Sequence, residues 1–157
     1  MPVLANLDRL EDAVAALVAG GDADTAWRDL AGVSAFLAKE LERHLVQEEE
    51  ALFPPMEEVI GETGGPTAVM RVEHVDMRRL SAELAAVVDR VQAEGPTAVP
   101  LAELQDTVDE LSSTLRAHIY KEDNVLFPMA DRVLSPQAQQ QVAARMEELA
   151  HQATPRP

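Results

Sequence analysis

The chain predicts an all-α fold: an up-down antiparallel bundle of four long helices, followed by a short fifth helix at the C-terminal end. Three observations carry this. Apolar residues recur at helical spacing through four long stretches, and no stretch alternates as a half-buried strand would. Short runs of Gly and Pro separate the stretches, and short connections favour antiparallel neighbours. The 157 residues are 46% hydrophobic but only 3% aromatic, a balance that suits helices packed through Leu, Val and Ala.

The first helix spans about residues 3–19. Leu4, Leu7, Leu10, Val14, Leu17 and Val18 follow the helical period. Gly20-Gly21 ends it, and Asp22 or Asp24 can cap the next. The second spans about residues 25–53, with Leu30, Val33, Leu37 and Leu41 leading along one face to His44. Pro54-Pro55 is expected to end or kink it, since neither residue donates a backbone hydrogen bond. After a loop at 61–66 the third helix starts near Pro66 and runs to about residue 94, where Gly95-Pro96 breaks it. The fourth spans about residues 101–127. Ser135-Pro136 reads as the cap and first residue of a fifth helix over 137–150. Residues 1–151 are thus expected to form one bundle domain, with a frayed tail at 152–157.

Bulk properties exclude several functions. The formal net charge of −15 argues against nucleic acid and against an anionic membrane surface, both of which are bound through Lys and Arg. No apolar run approaches the length of a membrane span. The absence of cysteine excludes disulfides, thiolate metal sites and cysteine nucleophiles. It fits a reducing cytoplasm, and the N-terminus does not read as a signal peptide.

The chemistry lies in a repeat. His44-x-x-x-Glu48-Glu49-x-x-Leu52-Phe53-Pro54 recurs as His118-x-x-x-Glu122-Asp123-x-x-Leu126-Phe127-Pro128. The leucines seven and three residues before each histidine match too: Leu37 and Leu41 with Leu111 and Leu115. Residues four apart are neighbours on a helix, so each copy sets an imidazole beside a carboxylate. Glu122 sits about 40° from His118, whereas Asp123 falls about 140° away, and the same arithmetic selects Glu48 over Glu49. Glu40, a turn before His44, reads as an outer partner or a surface acid.

His74 shares a face with Met70 and Met77 on the third helix. The first helix has no histidine. Its one acid on the apolar face is Glu11, about 40° from Leu7. When the two halves of the chain are aligned, Glu11 takes the position of His74. The predicted ligands are therefore Glu11, His44, Glu48, His74, His118 and Glu122: three imidazoles and three carboxylates. Six ligands exceed what one open catalytic ion needs and suit two ions. Imidazole with carboxylate accepts iron, manganese or zinc, and a bundle interior favours di-iron or di-manganese.

Each assignment has a plainer alternative. The two His–Glu pairs could be exposed helix-face pairs, His74 a satisfied core histidine, and Glu11 a helix-edge acid. The duplication is what favours ligands. The six methionines read as core filling, Tyr120 points away from His118, Trp27 reads as core or partner surface, and His151 has no assigned role.

The paired motifs, together with Glu73-His74, resemble the hemerythrin-like, or HHE cation-binding, domain over nearly the whole chain. The resemblance implies a four-helix bundle around two iron ions, carboxylate- and oxo- or hydroxo-bridged, that meets dioxygen, nitric oxide or peroxide. It implies iron-ligand roles for His44, Glu48, His74, His118 and Glu122. The chain departs from the family by having Glu11 where a first-helix histidine is usual. It also has Met70 where oxygen carriers have a histidine. Both departures remove nitrogen donors and favour oxidation of a small substrate over simple carriage. The alternative is binding or sensing of oxygen, nitric oxide or iron without turnover. A bundle that has lost its metal ranks last, because its buried carboxylates would lack compensation.

Overall fold

The computed structural model describes residues 2–152, and the described residues contain helices and no strand. In chain order the α-helices are α1 (Pro2–Val18), α2 (Ala23–Phe36), α3 (Glu42–Gln47), α4 (Phe53–Ile60), α5 (Pro66–Glu94), α6 (Leu101–Lys121), α7 (Phe127–Val133) and α8 (Pro136–Gln152). Three π-helical turns, Leu37–Leu41, Glu48–Leu52 and Glu122–Leu126, join α2 to α3, α3 to α4 and α6 to α7. The all-α expectation holds. Of the expected tail, Gln152 is the last helical residue and the rest lies outside the described residues. No helix among the described residues is long and apolar enough to cross a membrane.

Local chemistry explains the helix ends. Gly20 sits at φ +77°, and its N–H bonds Leu17 O while Gly21 N–H bonds Ala16 O. This pair of bonds closes a helix end on a left-handed residue, which glycine adopts without strain. Asp22 Oδ1 then accepts from the amides of Asp24 and Thr25 and starts α2. Ser135 Oγ does the same for Ala138 at the start of α8.

Pro54-Pro55 does not end the second helix, and Pro128 does not end the fourth. The chain is helical without a break over 23–60 and over 101–133. The reason is the π turn before each proline. Phe53 N–H reaches back to Glu48 O, and Phe127 N–H to Glu122 O. The prolines then fall in the first turn of the following α segment, where a missing N–H costs little. The Glu49 carbonyl is met from the side by Arg71 Nη2 at 3.5 Å.

The chain forms two compact units, Met1–Leu41 with Asp76–Arg116 and Glu42–Val75 with Ala117–Pro157. The first unit has an apolar interior that includes Leu10, Leu30, Leu84, Leu104 and Leu111, all fully buried. Burying each such side chain contributes about 1.5–3 kcal/mol. Its surface carries ion pairs such as Arg9–Asp29 and Arg90–Glu103. The second unit has a core of Leu52, Phe53, Met56, Met70, Leu126, Ala130 and Leu134, against which Val142 and Met146 of α8 pack. Gln47 Nε2 donates to Met146 O at 2.8 Å and ties α8 to the residue before Glu48. Both Leu-Phe-Pro segments therefore serve this core.

Candidate metal centre

All the polar residues that converge belong to the second unit. The π turns place them: Glu48 and Glu122 are each the first residue of one, one helical turn beyond His44 and His118. His44 Nε2 lies 2.6 Å from Glu48 Oε1 and 3.3 Å from Glu122 Oε1. His118 Nε2 lies 2.7 Å from Glu122 Oε1, and His74 Nε2 lies 3.9 Å from Glu48 Oε1. Glu48, His74, His118 and Glu122 each bring one donor atom to a common point, all within 4.8 Å of one another and all buried. His44 stands at the rim, its side chain 31% exposed, touching both carboxylates.

This arrangement fits a cation. Glu48 Oε1 and Oε2, Glu122 Oε2 and His118 Nε2 are buried and make no aligned hydrogen bond, despite the short His–Glu contacts. Buried polar atoms are normally paired, and leaving three carboxylate oxygens unpaired is costly. A divalent ion neutralises them, and imidazole with carboxylate is a donor set that iron, manganese and zinc accept.

The electrostatics show the same crowding. Burial opposes charge on His44, yet the hydrogen bond to Glu122 and the close carboxylates of Glu122 and Glu48 outweigh it and push its pKa to about 10. His118 is likewise raised against its burial, by Glu122 and then Glu73. Glu48 is pushed up by burial and by the neighbouring Glu122. Glu122 is held down against burial by His118, His44 and Glu48. The two carboxylates and the imidazoles thus divide a few protons among them, positions that a cation would take over.

Two of the imidazoles are also held from behind. His74 Nδ1 lies 2.8 Å from Glu49 Oε2, and His118 Nδ1 lies 3.1 Å from Glu73 Oε2. A carboxylate can only accept here, so each Nδ1–H donates and each Nε2 faces the cluster. Lys121 Nζ bonds Glu73 Oε1. Together Lys121 and His118 lower the Glu73 pKa against burial. The His74 ring stacks on Phe53 at 5.5 Å, and the Arg71 guanidinium lies over that ring 5.1 Å from its centroid.

Of the six predicted residues, Glu48, His74, His118 and Glu122 converge and His44 adjoins them. Glu11 is not one of the four residues that bring a donor atom to the common point. It belongs to the first unit, where its side chain is 42% exposed and its Oε2 accepts from Arg116 Nη2 at 3.1 Å, beside Asp8 at 2.7 Å. The buried face of α1 is Leu7, Leu10, Ala13 and Val14, while Val18 is 54% exposed. Glu11 follows Leu10 by one residue, about 100° off that face. Glu49 and Glu73 are the residues the sequence reading passed over. Regular helical spacing turns Glu49 away from Glu48, but the wider π turn brings it onto His74.

A buried His/Glu cluster that suits a cation, in an all-α chain, defines a helical metal-binding protein. The chain belongs to the hemerythrin HHE cation binding domain family, whose profile matches residues 3–130. Among curated relatives, an iron-sulfur cluster repair protein YtfE from Enterobacter sp. (strain 638) is 34% identical over 104 residues, 66% of this chain and 47% of that protein. The protein of that name from Salmonella schwarzengrund (strain CVM19633) is 32% identical over 95 residues, 60% of this chain and 43% of its own length. That from Citrobacter koseri is 31% identical over 104 residues, 66% and 47%. The chain spans about half the length of the curated relatives it matches. No solved structure matches it.

Proposed function

We propose that the chain is a non-haem iron protein whose centre takes two iron ions and binds dioxygen or a similar small molecule at them. The observation that carries this is the convergence of Glu48, His74, His118 and Glu122 on one buried point with carboxylate oxygens left unpaired. The residues that would hold the iron in this reading are His44, Glu48, His74, His118 and Glu122. Five protein ligands are fewer than two ions would need to be fully coordinated by protein, so a small molecule would have room to bind. Bound iron would supply electrons to that molecule. The protein excludes bulk water with Phe53, Met70 and Leu126, all buried, and offers an approach past the half-exposed His44. Turnover of a small substrate is the stronger form of this reading. Its main support was a third carboxylate from Glu11, and that carboxylate pairs with Arg116 instead.

A second reading, iron supply in the repair of iron–sulfur clusters, is favoured by what the YtfE relatives are named for. The chain has no cysteine, so its part would be to hold and hand over iron rather than carry a cluster on thiolates. A cytoplasmic setting suits both readings, because ferrous iron persists there.

The test is an anaerobic ferrous titration followed by admission of oxygen. Two irons per chain and an oxygen-dependent visible band support the centre, and His118→Ala should lose at least one iron. A band that reverses under vacuum indicates binding without turnover. Transfer of the iron to a cysteine-containing apo-protein in the presence of sulfide supports the repair reading. A chain that takes up no iron refutes both.

A further inference from the structure

The three imidazoles of the cluster are not equivalent, although the repeat makes two of them look alike. His74 is backed by Glu49 and His118 by Glu73. His44 has its Nε2 on Glu48 and Glu122, and no carboxylate is recorded behind its other nitrogen among the described residues. It is also the exposed member: its side chain is 31% accessible, against 0% and 1% for His74 and His118.

From this asymmetry we propose that Glu49 and Glu73 are positioning residues that lock His74 and His118 with Nε2 toward the cation, Lys121 fixing Glu73 in turn, while His44 is the exchangeable ligand through which the cation leaves. The inference rests on the cation-site reading above. Its physical basis is simple. An imidazole whose Nδ1–H is bonded to a carboxylate keeps one tautomer and one ring orientation, and becomes a better donor at Nε2. A ring with no partner behind it can turn out of the site without breaking a second bond. The two clamps differ in kind. Glu49 comes from a π turn on the helix that carries His44 and Glu48, so it is set by backbone geometry. Glu73 precedes His74 on α5 yet serves His118 on α6, and Lys121, one turn beyond, holds its other oxygen. Glu49 and Glu73 are themselves about one-fifth exposed, 22% and 21%, so each can be replaced without opening the core.

Zinc, a diamagnetic ion for the same donors, makes this measurable in the full chain by nitrogen-15 NMR and by release of the metal to a chelator. In the zinc-loaded protein two imidazoles should show Nδ1-bound protons far downfield and slow to exchange with water, and His44 should show neither property. Glu49→Gln should alter the His74 signal alone, and Glu73→Gln the His118 signal alone. Each should weaken zinc binding or speed its release by roughly 10–100-fold. Lys121→Met changes a side chain that is 43% exposed and leaves both His118 and Glu73 in place. It should move the His118 signal and speed release by less than Glu73→Gln does. Unaltered ring signals and wild-type release in all three variants would overturn the proposal while leaving the cation site standing. Failure of the wild-type chain to bind zinc and iron would overturn the site itself, and the proposal with it.

Discussion

The two Leu-Phe-Pro segments are identical in sequence, but the structure predicts that their phenylalanines differ in worth. Phe53 is fully buried, lies 5.5 Å from the His74 ring and carries Arg71 at 5.1 Å from its centroid. Phe53→Ala removes a complete core side chain, a loss of about 3–5 kcal/mol. Loss of the ring and cation contacts puts it at the upper end of that range. Phe127 is only partly buried against the same core, so Phe127→Ala should cost roughly half as much, about 2 kcal/mol. For a chain of this length each kcal/mol lowers Tm by about 2–4 °C. Thermal and urea unfolding should be followed by circular dichroism with a chelator present, since a bound cation would add its own linkage. Phe53→Ala should then fall by roughly 10–20 °C and Phe127→Ala by about half of that. Equal losses for the two would refute the reasoning, because they would mean that the repeat, not the burial, sets the energy.

Three further predictions follow from named contacts. Glu11→Gln should leave the cation content unchanged, measured by metal analysis, because Glu11 pairs with Arg116 in the first unit. The Glu57 carboxyl is held below its ordinary value by Arg71. A depressed carboxyl stabilises the fold fully above its unfolded pKa and loses that contribution as pH falls through the folded one. Wild-type stability should therefore drop as the pH is lowered below 4.5, and Glu57→Gln should remove about 1 kcal/mol of that drop, a figure kept small by the exposure of Arg71. Ser135→Ala should weaken α8 by about 0.5–2 kcal/mol, read as faster amide exchange confined to residues 136–152.

What the sequence made legible was whatever depended on regular helical spacing. Leu37, Leu41, Leu111 and Leu115 are buried as their matched positions required. His44 with Glu48 and His118 with Glu122 meet as neighbours four apart should. Asp22 and Ser135 start their helices. What escaped was the irregular backbone. Pro54 and Pro128 look like stops, but a π turn before each lets the helix continue and turns Glu49 toward His74. Long-range pairing escaped too. Nothing local links Glu73 to His118, which is 45 residues away. The analogy with His74 set the register of Glu11, whereas Leu10 and Ala13 lie on the buried face of α1 and Glu11 pairs with Arg116.

The most direct test of the account is a crystal of the iron-loaded protein measured at the iron absorption edge. Two anomalous peaks bounded by Glu48, His74, His118 and Glu122 are expected, with His44 on the solvent side and no peak at Glu11. A single peak there would keep the site and remove the second ion. Peaks confined to surface acids such as Asp8 and Glu11, or none at all, would contradict the central claim.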